Sequence, residues 1–392
     1  MTDLILVLNA GSSSIKFALH PLSGSGMKPA LTGEIGGIGT APQFKARNAG
    51  GESLDTGILA RADATADHAA LVARLLDWLL TGDWGGKIAA AGHRVVHGGR
   101  QFDGPVPIDA QVITSLEQLV PLAPLHQPHS LAAVRAVAGR LPELPQIACF
   151  DTAFHRTQPR LAQLFALPRH LSDEGIIRYG FHGLSYHSIA GALPDHLGAR
   201  ADGRVVVAHL GNGASMCAMK ERRSLATSMG FTALDGLMMG RRSGSIDPGV
   251  LIHLQENNGL DVDAVGRLLY SESGLFGVSG ISNDMRDLEA SADPHAREAI
   301  DLFCYRAALE LGSLVAALEG LDAIVFTAGI GEHSERVRRL ICARLSWLGV
   351  DLDQTANEAH AARISTTDST VDVLVIPTDE EAVIADAVRH LI

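Results

Sequence analysis

The chain contains two copies of one short plan, in which an apolar run, a turn of small residues and a second apolar run follow one another. The first copy occupies residues 4–19 and the second occupies residues 205–219. Apolar runs of this length that are bounded by Gly and Ser predict buried β-strands, and the tight turns between them leave backbone N–H groups free to face an anion. The repeat therefore favours two halves that face one phosphate ligand over two ordinary hairpins.

Polar side chains in both turns support the phosphate interpretation. Asn9 and Lys16 belong to the first turn region, and His209 and Asn212 belong to the second. Side chains of these types contact phosphate groups or metal ions, so each turn carries the chemistry as well as the backbone shape of an anion site.

The length of 392 residues is too great for one core and predicts two domains. Apolar strand patterns alternate with helical patterns, which is typical of an α/β fold. We expect one domain to span residues 1–150 and to include a C-terminal helix at about 382–392, and the other to span 151–381. Further expected elements are helices at 66–80, 131–138 and 381–391, strands at 88–91, 147–150, 323–326 and 371–376, and turns with short edge strands at 22–65.

Composition excludes several classes of protein. The net charge of −12 argues against a nucleic-acid surface, so an anionic substrate needs a local cluster of cations. We find no apolar run of the roughly 18 residues that a membrane helix needs, and no signal-peptide pattern, so we expect a cytoplasmic protein without membrane partners. Four single cysteines inside apolar stretches, at 149, 217, 304 and 342, fit small buried residues better than disulfides.

Standard nucleotide-binding fingerprints fail here. Residues 82–87 approach a P-loop, but the spacing is one residue short and Ile88 follows the Lys. Gly211 and Gly329 each begin a GxGxxG pattern that does not end in Gly. What remains is phosphate binding by hairpin turns on two facing domains, as in actin-like and sugar-kinase-type ATPases.

A series of motifs runs in order from residue 9 to residue 381, and together they resemble the acetate kinase family. The motifs are Asn9–Lys16, His93–Gly99, Pro121–His126, Phe150–His155, Arg178–Gly183, His209–Ser215, Ser228–Gly230, Met239–Gly244, Phe326–Glu332 and Ile376–Glu381. The resemblance implies two duplicated ribonuclease-H-like domains with an interdomain cleft, and reversible, Mg²⁺-dependent (or Mn²⁺-dependent) in-line transfer of a phosphoryl group between ATP and acetate, giving ADP and acetyl phosphate. It also implies a homodimer.

Two arginines and one aspartate are the main candidates for catalysis. Phosphoryl transfer to a carboxylate brings several negative charges together, so fixed guanidinium groups such as Arg94 and Arg242 suit the reaction. Asp151 follows an apolar strand, where an α/β sheet places its ligand crevice, and the resemblance makes it the catalytic aspartate. We interpret it as an electrostatic organiser of the substrate, the metal or an arginine; a phosphoaspartyl intermediate and a helix cap are the alternatives.

The remaining roles follow from the resemblance, which implies that His182 hydrogen-bonds the phosphoryl group. Mg²⁺ would be held by Glu380 with help from Asn9, and Glu381 is the alternative. Asp284 would hold the ribose, and the Gly-rich turn at Gly329 would let the base approach closely. The residues assigned to nucleotide contacts are Ser12, Ser14, Lys16, His209, Leu210, Gly211, Asn212, Gly213, Asp284, Met285, Arg286, Gly329, Ile330, Gly331, Glu332 and His333.

The acyl pocket is expected to be small and apolar, with Arg94 at its charged end. The motifs implied by the resemblance give it four walls, which are Val96, Leu125, Phe181 and Ala233. Ala233 stands where the family usually has Pro, and a smaller wall would admit propionate. One methylene in such a pocket is worth only about 1–3 kcal/mol, so we expect soft selectivity.

Three other functions stay open at this point. A propionate or short-chain acyl kinase shares every motif. An actin-like ATPase shares the fold but has no need of Arg94, Arg242 and an apolar pocket together. A metal hydrolase is disfavoured by the missing ligand triad. His93 and His97 have the spacing of HExxH, but Arg94 stands in place of its Glu, so a zinc site there is not expected.

Overall fold

The computed structural model describes residues 3–11, 14–24, 28–39, 41–54, 68–124 and 126–392. The strands are β1 Leu4–Ala10, β2 Ser14–Pro21, β3 Leu31–Gly36, β4 Gln43–Asn48, β5 Ile88–Val95, β6 Val106–Pro107, β7 Gln146–Phe150, β8 Val205–Leu210, β9 Ala214–Lys220, β10 Arg223–Thr227, β11 Ala323–Thr327 and β12 Asp372–Val375. The helices are α1 His68–Thr81, α2 Ala110–Gln118, α3 Gln127–Arg140, α4 Arg160–Gln163, α5 Arg169–Asp173, α6 Gly183–Leu197, α7 Pro248–Glu256, α8 Val262–Ser271, α9 Gly274–Ser279, α10 Met285–Ala290, α11 Pro294–Leu318, α12 Ala328–His333, α13 Glu335–Cys342, α14 Gln354–Glu358 and α15 Glu380–Leu391.

The chain divides into two compact units. Unit 1 comprises the residues up to Phe154 together with Asp379–Ile392, and unit 2 comprises His155–Thr378. The sequence placed these boundaries at 150/151 and 381/382. Asp151 stays with unit 1 because its N–H donates to Val95 O (3.1 Å), and Asp379 does so because it caps α15 by accepting from Ala382 N (2.8 Å).

Both repeated segments form the predicted buried hairpins. In the first, β1 pairs antiparallel with β2, with Asn9 opposite Lys16. In the second, β8 pairs antiparallel with β9, with His209 opposite Ser215. Nearly all residues of these strands are buried, because each hairpin lies inside a sheet. The prediction of two hairpins is confirmed.

The two sheets share one topology. The first has the order β4-β3-β2-β1-β5-β7-β6, and the second has the order β10-β9-β8-β11-β12. Both sheets contain the same five-stranded core, in which three successive strands form an antiparallel meander and two further strands run parallel to the first of these. The first sheet extends this core with β4, antiparallel to β3, and with β6, antiparallel to β7. The core strands β3-β2-β1-β5-β7 of the first sheet and all five strands of the second follow the order 3-2-1-4-5. This is the duplicated ribonuclease-H-like arrangement, so the predicted fold class is confirmed.

Apolar helix faces close the core of unit 1. On α1 the side chains of Leu71, Leu75 and Leu79 are at most 2% exposed, as the helical period of the sequence predicts. This helix packs with α3 against one side of the sheet. The C-terminal helix α15 lies against β1, β5 and β7 through Ile384 and Val388, whose methyl groups stand over Gly92.

Two findings concern the cellular setting. Within the described ranges, no helix is both long enough and apolar enough to span a bilayer. All four cysteines are buried free thiols, and burial raises the pKa of each to about 12. They are therefore packing residues, as the sequence predicts.

Gly92 is a test of how α15 is seated. A Cβ atom at this position would lie 2.4 Å from Ile384 Cγ2 and 2.8 Å from Val388 Cγ2, and both neighbours are stiff β-branched side chains. We expect Gly92→Val to lower the free energy of unfolding by about 1–3 kcal/mol, measured by urea denaturation. The control is Gly139→Ala, where a Cβ meets nothing within 4 Å. Equal stability of the two variants would contradict the tight seating of α15.

Candidate active site

The candidate site in unit 1 forms where three parallel strands end. Asn9 is near the end of β1, Arg94 is near the end of β5, and Asp151 directly follows β7. Because β5 pairs with both β1 and β7, the three side chains converge at the carboxyl edge of the sheet, where α/β sheets bind their ligands. The sequence placed Asp151 at such an edge from its strand alone.

Arg94 and Asp151 form a bidentate ion pair. Arg94 Nε lies 3.0 Å from both carboxylate oxygens, and Nη2 lies 2.5 Å from Oδ2. Asp151 is only 1% exposed, so this carboxylate depends on the guanidinium. Burial alone would lower the pKa of Arg94, and the Asp151 charge more than offsets it, so the guanidinium stays charged. Of the roles considered for Asp151, the structure shows the positioning of an arginine.

Glu380 completes the cluster from the first turn of α15. Asn9 Nδ2 donates to Glu380 Oε2 (3.2 Å), while Asn9 Oδ1 accepts from Arg94 Nη1 (3.0 Å). Burial raises the pKa of Glu380 to about 7; the Arg94 charge opposes this shift, and the Asp151 charge adds to it. One guanidinium thus faces two carboxylates, and burial favours the neutral form of the second.

The oxygen atoms of Glu380 and Asn9 are of the chemical type that magnesium ions bind. Mg²⁺ prefers hard oxygen ligands and takes one or two carboxylates while keeping several waters. Glu380 supplies a carboxylate whose ionised form is poorly compensated by its neighbours, and a cation would relieve that deficit. In the part of the chain that the structure describes, no cluster of three or more His, Cys, Asp or Glu side chains could hold a metal ion.

His93 and His97 have structural roles in unit 1. His93 Nε2 lies 2.7 Å from Gln146 Oε1, and His97 Nδ1 accepts from Gly99 N (2.9 Å). Burial lowers the pKa of each to about 4, which keeps both rings neutral.

Other predicted contacts of unit 1 differ in setting. Lys16 is exposed on β2, and Ser14 begins that strand. Ser12 and Leu125 lie outside the described residues.

The candidate site in unit 2 is built around His182. This residue adopts a left-handed conformation (φ 59°) at the N-terminus of α6, and its ring stacks on His209 with 4.1 Å between centroids. His182 Nδ1 lies 2.8 Å from Ser215 Oγ, which is itself 2.5 Å from the Tyr186 hydroxyl. His209 Nδ1 lies 2.8 Å from Ser185 Oγ. Sequence reasoning missed Tyr186 and the two serines, because ordinary buried residues give no signal of a hydrogen-bond chain.

Gly213, His182 and Arg242 come together in unit 2. A Cβ atom on Gly213 would lie 3.5 Å from His182 Nε2 and 4.0 Å from Arg242 Nη1, so a small backbone residue faces two potential phosphate donors. Arg242 Nη1 also donates to Ala233 O (3.0 Å), which ties the arginine to the predicted acyl wall. The loop between β8 and β9 therefore meets both side chains, as expected for a phosphate-contacting turn.

The other residues of this loop differ in setting. Leu210 is buried at the end of β8, and Gly211 N bonds to Gly213 O (3.1 Å), which closes the turn. Asn212 is exposed, and its Oδ1 accepts from Asn283 Nδ2 (3.0 Å). Arg241 is exposed, and its guanidinium lies 4.4 Å from the Phe276 ring centroid.

The predicted nucleotide loops are more ordered than the sequence indicates. Residues Gly329–Gly331 belong to the short helix α12, so the expected Gly-rich turn is corrected to a helical turn that follows β11 directly. Glu332 Oε1 accepts from Ala328 N (2.8 Å), which uses that carboxylate inside the helix, whereas Ile330 is half-buried and His333 is exposed.

Asp284 and Arg286 form a local pair. Asp284 caps α10 by accepting from Arg286 N (2.9 Å), and its carboxylate also bonds the Arg286 guanidinium (2.6 Å). This pairing lowers the pKa of Asp284, which therefore remains an acceptor. Met285 between them is buried in unit 2.

Sequence reasoning also missed Arg338, which is fully buried. Its guanidinium donates to Gly331 O and Glu332 O (both 2.9 Å) and to Asn357 Oδ1 (2.7 Å). It thereby anchors the end of α12 to α14. Three arginines between 336 and 339 indicate a solvated helix face, so only tertiary contacts identify the buried one.

The described acyl-wall residues are apolar and mostly buried. Val96 of unit 1 is 3% exposed, Phe181 of unit 2 is 2% exposed, and Ala233 of unit 2 is partly buried. Phe181 O is held by His155 Nε2 (2.9 Å), and burial lowers the pKa of His155 to about 4.

Known proteins place the chain in a family. The acetokinase family matches residues 4–386. The chain belongs to the acetokinase family. An acetate kinase of Rhodopseudomonas palustris is 55% identical over 396 residues, covering 100% of this chain and 98% of the relative. An acetate kinase of Rhizobium meliloti is 48% identical and covers 99% and 97%.

Solved structures agree with this assignment. A propionate kinase from Francisella tularensis has a TM-score of 0.92 at 36% identity, with all of both chains covered. The acetate kinase of Porphyromonas gingivalis has a TM-score of 0.86 at 36% identity, with 98% of both chains covered. The acetokinase-family chain is thus a kinase of the actin-like and sugar-kinase fold type.

Proposed function

We propose that this chain catalyses Mg²⁺-dependent transfer of the γ-phosphoryl group of ATP to acetate, and the reverse reaction from acetyl phosphate and ADP. The observation that carries the proposal is the 55% identity, over the full length, to a protein named acetate kinase. The free cysteines, which fit a reducing compartment, support a cytoplasmic location.

In unit 1, Arg94 would bind the carboxylate group of the acyl substrate. A guanidinium held flat by Asp151 presents its remaining N–H donors in a fixed direction, which suits a planar carboxylate. Asp151 has both oxygens engaged with Arg94, so it acts as an organiser of that charge rather than as a nucleophile. Acetate at neutral pH has no proton to lose, and the reaction therefore needs no general base.

The same unit would hold the metal at Glu380, with Asn9 orienting that carboxylate. Bound Mg²⁺ would neutralise charge on the nucleotide phosphates. Asn9 fixes the geometry, because its amide bonds Glu380 through nitrogen and Arg94 through oxygen.

In unit 2, His182 and Arg242 would contact the phosphoryl group while it is transferred. Ser215 and the His209 ring fix the orientation of the His182 ring. Its Nε2 is therefore oriented before the substrate binds, and no side-chain entropy is lost during the reaction. Arg242 supplies a permanent positive charge near the same glycine. Fixed donors of this kind stabilise the negative charge that develops on the phosphoryl group in the transition state.

Propionate kinase activity is a second candidate. It is favoured by the TM-score of 0.92 to a structure named propionate kinase and by the small side chain of Ala233.

ATP-dependent formation of acyl phosphate, trapped as the hydroxamate, should be compared for acids of two to four carbons. We expect activity on acetate and propionate, and Ala233→Pro should shift the kcat/KM ratio toward acetate by roughly 10-fold, because one methylene is worth about 1–3 kcal/mol. ATP hydrolysis without any acyl phosphate would contradict the proposed function, and an unchanged ratio would clear position 233 of a role in selectivity.

Arg242→Ala should lower kcat by about 10²- to 10³-fold while changing the affinity for ATP little, because it removes a charge that acts on the migrating group. Steady-state kinetics and equilibrium ATP binding measure the two effects. Arg241→Ala is the matched control, since it removes the same charge from the neighbouring position. Near-normal turnover of Arg242→Ala would exclude this arginine from catalysis.

Magnesium affinity should depend on the charge of Glu380. Its pKa of about 7 in the metal-free protein means that the carboxyl becomes neutral as the pH falls through 7. We expect the apparent affinity for Mg²⁺ to fall about 10-fold per pH unit below 7 and to level off above it, because only the ionised form binds metal. In Glu380→Gln the affinity should be low and independent of pH. If Glu381→Gln shows this loss instead, the metal ligand is Glu381.

We also propose a homodimer that forms through unit 2. On the long helix α11, Leu302, Tyr305 and Leu309 lie on one face and are 36–50% exposed. Sedimentation velocity should show a dimer for the native chain and a monomer for the double variant Leu302→Glu/Leu309→Glu, because two charges would be buried in the contact. Leu161→Glu, at another exposed leucine of unit 2, should remain dimeric. A dimer that survives the double variant would rule out this face.

A further inference from the structure

A fully buried tyrosine is linked to the imidazole of His182 through one serine. Tyr186 lies one helical turn after His182 on α6, and its backbone N–H donates to His182 O (3.0 Å). The Tyr186 hydroxyl is 2.5 Å from Ser215 Oγ, which is 2.8 Å from His182 Nδ1. Tyr186 and Ser215 are both 0% exposed. The three groups therefore form a buried hydrogen-bond chain that ends at one ring nitrogen of His182.

Two hydrogen bonds between α6 and the β8–β9 hairpin hold the His182 ring in place. Ser215 on β9 contacts His182, and Ser185 on α6 contacts His209 of β8 (2.8 Å). The two imidazole rings stack with 4.1 Å between centroids. Because both rings are held, the remaining variable is which nitrogen of His182 carries the proton.

The hydroxyl of Tyr186 supplies a direction to the chain. A neutral imidazole donates through one nitrogen and accepts through the other, and a serine hydroxyl can meet either. Burial raises the pKa of Tyr186 well above its ordinary value, so its hydroxyl keeps its proton. When that proton is donated to Ser215 Oγ, the proton of Ser215 is available for His182 Nδ1. Nδ1 then accepts, and the ring proton is on Nε2.

The other end of the ring faces the turn between β8 and β9. A Cβ atom on Gly213 would lie 3.5 Å from His182 Nε2 and 4.0 Å from Arg242 Nη1. A phosphoryl group offers hydrogen-bond acceptors, so a nitrogen that contacts it must carry a proton. We propose that Tyr186 is a positioning residue, which acts through Ser215 to keep the His182 proton on Nε2, where it is donated to the transferred phosphoryl group. This inference rests on the proposed function, in which His182 contacts that group.

The direct test is the tautomer of His182, read by NMR of isotope-labelled imidazole nitrogens in the full-length native chain. The pH should be about 8, where an ordinary imidazole is neutral. The His182 signals are identified by their absence in His182→Gln. We expect the proton on Nε2 in the native chain. In Tyr186→Phe both tautomers should be populated, because Ser215 loses its donor and can accept a proton from Nδ1. A native proton on Nδ1, or an unchanged tautomer in Tyr186→Phe, would overturn the proposal.

The kinetic test separates positioning from general stability. Tyr186→Phe should lower kcat about 10-fold and change the KM for ATP less than about threefold, because the affected contact is made to the transferred group. Tyr179→Phe is the matched control. It removes the hydroxyl of another buried tyrosine of unit 2, which donates to Gly175 O (2.9 Å), and it should alter neither kcat nor the His182 tautomer. Equal losses of kcat in the two variants would contradict a specific role for Tyr186.

A double-mutant cycle tests whether Tyr186 acts through Ser215. Ser215→Ala should also lower kcat, and Tyr186→Phe should then cause no further loss, because the chain is already broken. Losses that multiply would show that Tyr186 acts by another route and would overturn the proposal. Acyl phosphate formation by the native chain tests the proposed function separately. If none forms, that function fails, whereas the NMR comparison still decides whether Tyr186 sets the tautomer.

Discussion

The ion pair between Arg94 and Asp151 is the interaction on which the arrangement of unit 1 depends. Asp151 is almost completely buried, and an unpaired carboxylate in that position would cost several kcal/mol. The same guanidinium bonds Asn9, which in turn bonds Glu380. One side chain therefore organises groups from β1, β5, β7 and α15, so the C-terminal helix is tied to the first strand through a polar network as well as through packing.

The duplicated topology of unit 2 supports different chemistry at the equivalent place. Asn9 pairs with Lys16 one position before the end of the first hairpin ladder, and His209 pairs with Ser215 one position before the end of the second. The first hairpin offers an amide and a cation beside two carboxylates. The second offers a chain of imidazole and hydroxyl groups with Arg242 near the same turn. The two copies thus have the same backbone fold but different roles in the proposed reaction: the first contacts the metal and the second contacts the phosphoryl group.

Local patterns were enough to predict both hairpins, the α/β class and most strands, because buried apolar runs bounded by Gly and Ser have few other solutions. The motifs also named the candidate site residues. Their partners were not predictable, since the contact of Asp151 with Arg94 depends on the register of β5 against β7. Arg338 shows the same limit, because its environment is set by Asn357, nineteen residues away. The helical state of Gly329–Gly331 was missed because two glycines locally favour a turn, and the hydrogen bond from Ala328 N to the Glu332 side chain opposes that preference.

The charge state of Glu380 connects this architecture to the need for a metal. A carboxylate at the start of a helix and close to an arginine would ordinarily have a low pKa, because both the helix dipole and the guanidinium favour its ionised form. Burial outweighs the charge of Arg94 here and raises the pKa of Glu380, and the charge of Asp151 adds to that rise. A cation bound beside Glu380 would favour the ionised carboxylate. In the proposed reaction Glu380 holds the metal and Asn9 orients that carboxylate. Most of the coordination sphere would then come from water and nucleotide phosphates, so metal and nucleotide should bind together.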